Sequence, residues 1–76
     1  MKVSIELEEL SKKTLIRIAS ETTDSNVLDA LAESSSAKIL AAVAGNEWTK
    51  RETVIRLSKS NDEIVKRKAL KNLSLA

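Results

Sequence analysis

An all-α fold of about five helices in antiparallel pairs is what this sequence predicts, and three observations carry the prediction. The first is composition: 76 residues hold one Gly, no Pro, no Phe, no Tyr and a single Trp, so the aromatic and β-branched runs between Gly/Pro turns that strands need are missing. The second is spacing, because apolar residues recur at the three- and four-residue intervals of a helix face. The third is a period. Asn46 and Asn72 stand 26 residues apart, as do Leu31 and Leu57, Ser34 and Ser60, and Thr23 and Thr49, while Ile39 and Val65 fill one apolar slot. A fixed repeat of about 20–50 residues with two helices per unit marks a stacked helical-repeat chain.

The first unit, residues 1–20, reads as an N-terminal capping helix. Val3, Ile5 and Leu7 alternate as in a short strand or a frayed entry, and Leu7, Leu10, Thr14, Leu15 and Ile18 then mark one helix face running to about Ala19. Glu6, Glu8 and Glu9 suit the positive end of that helix's dipole. Leu10 precedes Ser20 by 10 positions, whereas Leu31 precedes Asn46 and Leu57 precedes Asn72 by 15. An inner turn is therefore missing, as is usual for a terminal repeat.

Residues 21–46 form repeat 1. Thr22, Thr23, Asp24, Ser25 and Asn26 supply caps for a helix over about 24–33, whose apolar stripe is Val27, Leu28, Leu31 and Ala32. Ser34, Ser35 and Ser36 interrupt it, with one serine capping the next helix. That helix, about 36–44, carries Ile39, Leu40, Ala42 and Val43 and is polar only at Lys38, which predicts the most buried element. Gly45 ends it, in the left-handed conformation that glycine adopts most readily.

Residues 47–72 form repeat 2. Thr49 and Glu52 have the spacing of a capping box, opening a helix with Val54, Ile55, Leu57 and Ser58 inward. Ser60 and Glu63 repeat that spacing ahead of a last helix, which sets Ile64, Val65, Ala69 and Leu70 against Lys66, Arg67, Lys68 and Lys71. Residues 73–76 are an apolar tail. Leu31, Ile39, Val43, Leu57, Val65 and Ala69, paired one period apart, are the expected shared core.

Composition also narrows function. With no Cys and no His, the chain lacks disulfides, thiolate-held clusters, most zinc and haem sites and the commonest general base. No phosphate-cradling glycine loop or nucleophile–base pair can be assembled, and Glu8-Glu9 and Asp62-Glu63 read as helix-start charges, so neither an enzyme nor a cofactor is expected. No leader-like segment and no apolar run of about 18 residues is present, which predicts a soluble, cytoplasmic protein. Asn72-Leu73-Ser74 matches a glycosylation acceptor, a coincidence in such a setting. One small domain of this length buries only about 60% of its unfolded surface, so stability should be marginal.

The pattern Val27-Leu28-x-x-Leu31-Ala32-x-Ser34 through Ile39-x-x-x-Val43-Ala44-x-Asn46-x-x-Thr49 returns as Val54-x-x-Leu57-Ser58-x-Ser60 through Val65-x-x-x-Ala69-Leu70-x-Asn72. Over about residues 20–72 it resembles the leucine-rich-repeat-variant and HEAT-like class of helical repeats. The resemblance implies a right-handed superhelix of antiparallel helix pairs whose usual task is to hold another macromolecule. Glu47 and Lys50 stand where that class usually has proline, and the cysteine cluster of some variant proteins has no counterpart here.

Charge and the single aromatic residue point to candidate contacts. Residues 1–48 hold five basic and eight acidic side chains, and residues 49–76 hold eight basic and three acidic. The partner-binding candidates are Trp48, because Trp is enriched at interface hot spots, and the basic cluster Lys66, Arg67, Lys68 and Lys71. The plain alternative is that the cluster coats a solvated helix face and Trp48 fills a groove between helix pairs. The expected partner is another protein or a second copy of the chain. Nucleic acid is the second choice, through a helix-turn-helix over Thr49 to Leu73, although the turn lacks Gly and no wing follows. A shortened first unit leaves apolar end faces, which predicts a two-fold dimer or a covering partner with Leu70, Leu73 and Leu75 in the contact, since head-to-tail pairing would not close.

Overall fold

The computed structural model describes the backbone of residues 2–75 and the side chains of residues 12–74. Five helices follow one another: α1 (Lys2–Glu21), α2 (Ser25–Leu31), α3 (Ala37–Gly45), α4 (Arg51–Leu57) and α5 (Glu63–Leu75), with no strand among the described residues. Val3, Ile5 and Leu7 thus lie in helical backbone, and the strand-like alternation is overruled. The side chains of Glu6, Leu7, Glu8, Glu9, Leu10 and Leu75 lie outside the described residues. Within the described part of α1 the inward face is Leu15, Ile16 and Ala19, whereas Thr14 and Ile18 are exposed. Three- and four-residue steps back from Ala19 select Ile16 and Leu15, so the face is rotated from the one the sequence suggested.

The helices form two layers. In one, α3 packs against both α1 and α5; in the other, α2 touches α1 and α3, and α4 touches α3 and α5. Ala19, Leu28, Ala32, Ile39, Val43, Ala44, Val54, Leu57, Val65 and Ala69 are the buried core. Five of the six expected core residues are among them. Leu31 is half-buried at the rim because Leu28 on the seven-residue α2 and Ala32, its C-cap one turn on, take the inward position.

Short polar side chains set the helix starts. Asp24 accepts from the Asn26 amide, Ser36 from Ile39, and Asp62 from both Ile64 and Val65, which satisfies donors that a first turn leaves free. Ser34 and Ser60, one period apart, make the same bond: each hydroxyl accepts the amide two residues on, at 3.0 Å. The capping boxes expected at Thr49–Glu52 and Ser60–Glu63 do not form. The N-cap of α4 is Lys50, which offers no side-chain bond, and Thr49 instead turns back to donate to Val43 O at 2.7 Å. Gly45 departs from expectation as well. It is the last helical residue of α3, has no positive φ, and is followed by Asn46 in extended backbone.

The register of α1 is also corrected. Asn46 Nδ2 donates to Ala19 O and Thr22 O, and Asn72 Nδ2 donates to Ala44 O and Asn46 O. Each asparagine ties its own helix to the C-terminal end of the preceding inner helix, so the C-terminal ends of α1 and α3 lie on one side. Thr22, not Ser20, is the counterpart of Asn46, because each follows the last helical residue and gives its carbonyl to the next asparagine. The α1–α2 linker, residues 22–24, is two residues shorter than the α3–α4 linker, residues 46–50. That difference shifts the period from 26 to 24 across α1.

Candidate functional site

The longer linker is where a site is built. Asn46 is buried; its amide group reaches α1 at 2.8 and 2.9 Å, and its Oδ1 accepts the Trp48 backbone amide at 2.7 Å. With Thr49 bonded to Val43 O behind it, the linker is pinned on both sides of Trp48, a residue left 53% exposed. An exposed side chain on an anchored backbone can meet a partner with little ordering to be done at that point.

Around Trp48 the ends of α1 and α3 and the last turns of α5 enclose a cleft of about 730 Å³. Ser20, Glu21, Thr22 and Thr23 line it from α1 and the following linker, Gly45 and Glu47 from α3 and its linker, and Lys68, Lys71 and Asn72 from α5. Two of the hydroxyls on that wall bond backbone: Ser20 donates to Ile16 O and Thr22 Oγ1 accepts the Asp24 amide. Neither Lys68 nor Lys71 forms an ion pair among the described residues. The cleft therefore offers an aromatic surface, two lysine amines on one wall and two carboxylates, Glu21 and Glu47, on the others.

The predicted contacts are thus divided by the fold. Trp48, Lys68 and Lys71 come together in the cleft, whereas half-buried Lys66 and exposed Arg67 lie outside its lining. At 53% exposure Trp48 is neither fully packed between helices nor fully free. Glu63 and Arg67, spaced as an intrahelical pair, make no ion pair among the described residues. Asn72 has its amide nitrogen committed to Ala44 O of α3 and Asn46 O of the linker, at 2.9 and 3.0 Å.

A second polar group joins α2 to α4. Thr53 donates to Asp29 at 2.7 Å, Lys50 pairs with the other oxygen of Asp29 at 3.0 Å, and Arg56 pairs with Glu33 at 3.2 Å. The Thr53 hydrogen bond, and then Lys50, hold the Asp29 carboxyl below its ordinary pKa, while Asp29 raises that of Lys50. Asp29, Lys50, Glu33 and Arg56 all have partners within that seam, and we read it as structural. The sequence-based reading missed both Asp29–Thr53 and the asparagine bridges; the 26-residue recurrence of Asn46 and Asn72 was the available signal for the latter.

No group of three or more metal-binding side chains occurs among the described residues, and no helix there is long and apolar enough to cross a membrane. In comparison with known proteins, no family model, curated protein or solved structure matches the chain.

Proposed function

We propose that this chain is a noncatalytic protein-interaction module, a short HEAT-like stack of helical repeats of cytoplasmic setting that holds another protein, or a second copy of itself, at the cleft around Trp48. The observation that carries the reading is an exposed tryptophan held on a linker whose backbone is pinned on both sides. Large, exposed and pre-positioned aromatic side chains are the kind that anchor interfaces. The recurrence of the Ser34/Ser60 turn and of the Asn46/Asn72 bridges supports the repeat reading from geometry.

Immobilised chain presented to extract of its native host should capture a protein that Trp48→Ala fails to capture, with unchanged far-UV circular dichroism. Capture that survives Trp48→Ala would rule out the cleft. Nucleic acid is the second reading, favoured by the exposure of Arg67, Lys68 and Lys71 on one helix. Acidic Asp62 and Glu63 at the start of α5, where a recognition helix meets base edges, oppose it. Random duplex DNA distinguishes the two, since a phosphate-dominated complex weakens steeply with salt.

A further inference from the structure

We infer that Gly45 is the open floor of a peptide-binding cleft, leaving room for the main chain of an extended segment that sets an acidic side chain against Lys68 and Lys71 and an apolar one against Trp48. This rests on the interaction reading above and names its ligand.

Gly45 is the single glycine of the chain and the last residue of α3, a place where every residue except proline favours helix more. The usual structural reasons for a glycine are missing. Its φ does not lie in the left-handed region. The last carbonyls of α3 are bonded by side chains from outside the helix, Val43 O by the Thr49 hydroxyl and Ala44 O by the Asn72 amide. Nor does a packed neighbour exclude a side chain, because a Cβ at this position would meet only Cδ of Lys68, at 3.8 Å, an ordinary contact. What glycine does provide is space, since residue 45 is exposed and lines the cleft beside Trp48 and Lys68. Close approach of another backbone is a use that only glycine serves.

The charges select the ligand. Lys68 and Lys71 stand one turn apart on α5, while Glu21 at the end of α1 and Glu47 in the α3–α4 linker also line the cleft. A uniform polyanion would meet repulsion from both glutamates. A peptide can direct one carboxylate to the lysines and keep the rest of its length neutral, with an apolar side chain on the indole.

The test is an array of acetylated, amidated decapeptides of random sequence, screened with the wild type and with Gly45→Leu, and the selected peptides retitrated by the emission of Trp48. The wild type should select peptides joining Asp or Glu to an apolar residue and shift its emission to the blue. Gly45→Leu should bind them at least about tenfold more weakly at unchanged helicity. Should Gly45→Leu unfold, Gly45→Ala is read in its place, and Lys68→Glu with Lys71→Glu should move the preference away from acidic peptides. Selection of no peptide by the wild type overturns the inference. Equal affinity in a folded Gly45 variant also overturns it, while Trp48-dependent capture of a protein would leave the interaction reading standing.

Discussion

Asn46 does three things with one side chain: its amide nitrogen bonds Ala19 O and Thr22 O, and its oxygen holds the Trp48 amide. Truncation to alanine leaves the buried Ala19 carbonyl without that donor, a loss of about 1–3 kcal/mol. Asn46→Asp keeps the shape but turns an oxygen toward two carbonyl oxygens, so it should destabilise more than Asn46→Ala in urea melts at neutral pH. Equal midpoints for the two variants would mean that the bridges do not hold α3 to α1. Gly45 gives the opposite expectation. Its backbone is helical and a methyl group meets nothing closer than 3.8 Å, so Gly45→Ala should raise stability by about 0.4–1 kcal/mol, chiefly by restricting the unfolded chain. A lower melting temperature would reveal strain at that position.

Between elements, the α2–α4 seam contributes in a pH-dependent way. Asp29 has its pKa lowered by the Thr53 hydroxyl first and by Lys50 second. A carboxyl with a depressed folded pKa stabilises the fold above its ordinary pKa, and that contribution disappears as pH falls through the ordinary range and then the folded value. For Lys50, raised by Asp29, the contribution is present below the ordinary lysine pKa and is lost as pH rises through the folded one. Both groups are solvent-exposed, so salt should weaken the effect. Asp29→Asn should therefore lower the melting temperature at neutral pH yet converge on the wild type below about pH 4, where the ordinary aspartate pKa is passed. Parallel curves down to strong acid would remove the seam from the pH response.

For the molecule as a whole, α3 is the element on which everything else leans, touched by α1, α2, α4 and α5. Val43→Ala, at a fully buried position in its last turn, should cost about 1–3 kcal/mol through lost burial and a cavity, and chemical denaturation that stays cooperative would check it. One period after Ala41, Ala42, Ala44 and Gly45 come Arg67, Lys68, Leu70 and Lys71, all exposed. Small residues let α3 accept helices on two sides, whereas long charged ones at the matching positions of α5 obstruct another close neighbour. Open head-to-tail growth is thus not expected. Ile64 and Leu70, 62% and 51% exposed, suit at most a closed two-fold contact, which Leu70→Glu should dissociate. Sedimentation equilibrium over a wide concentration range checks this, and masses climbing beyond a dimer would refute it.

The helical class and the five helices were legible in the sequence, because composition and apolar spacing act locally, and the recurring Ser and Asn positions marked residues that make like hydrogen bonds. The sequence also offered Trp48, Lys66, Arg67, Lys68 and Lys71 as candidate contacts. Only tertiary structure decided that Trp48, Lys68 and Lys71 share a cleft while Lys66 and Arg67 do not, since that depends on how α5 is rotated against α3. The same holds for Thr49, whose spacing to Glu52 fits a capping box but whose hydroxyl goes to Val43 O, a buried carbonyl at the end of α3. The match of Thr22 rather than Ser20 to Asn46 likewise depended on the shorter first linker. Gly45 is the clearest case: its identity suggested a left-handed helix end, yet it stays in helical backbone with no positive φ, and side chains from the next linker and from α5 bond the last carbonyls of α3.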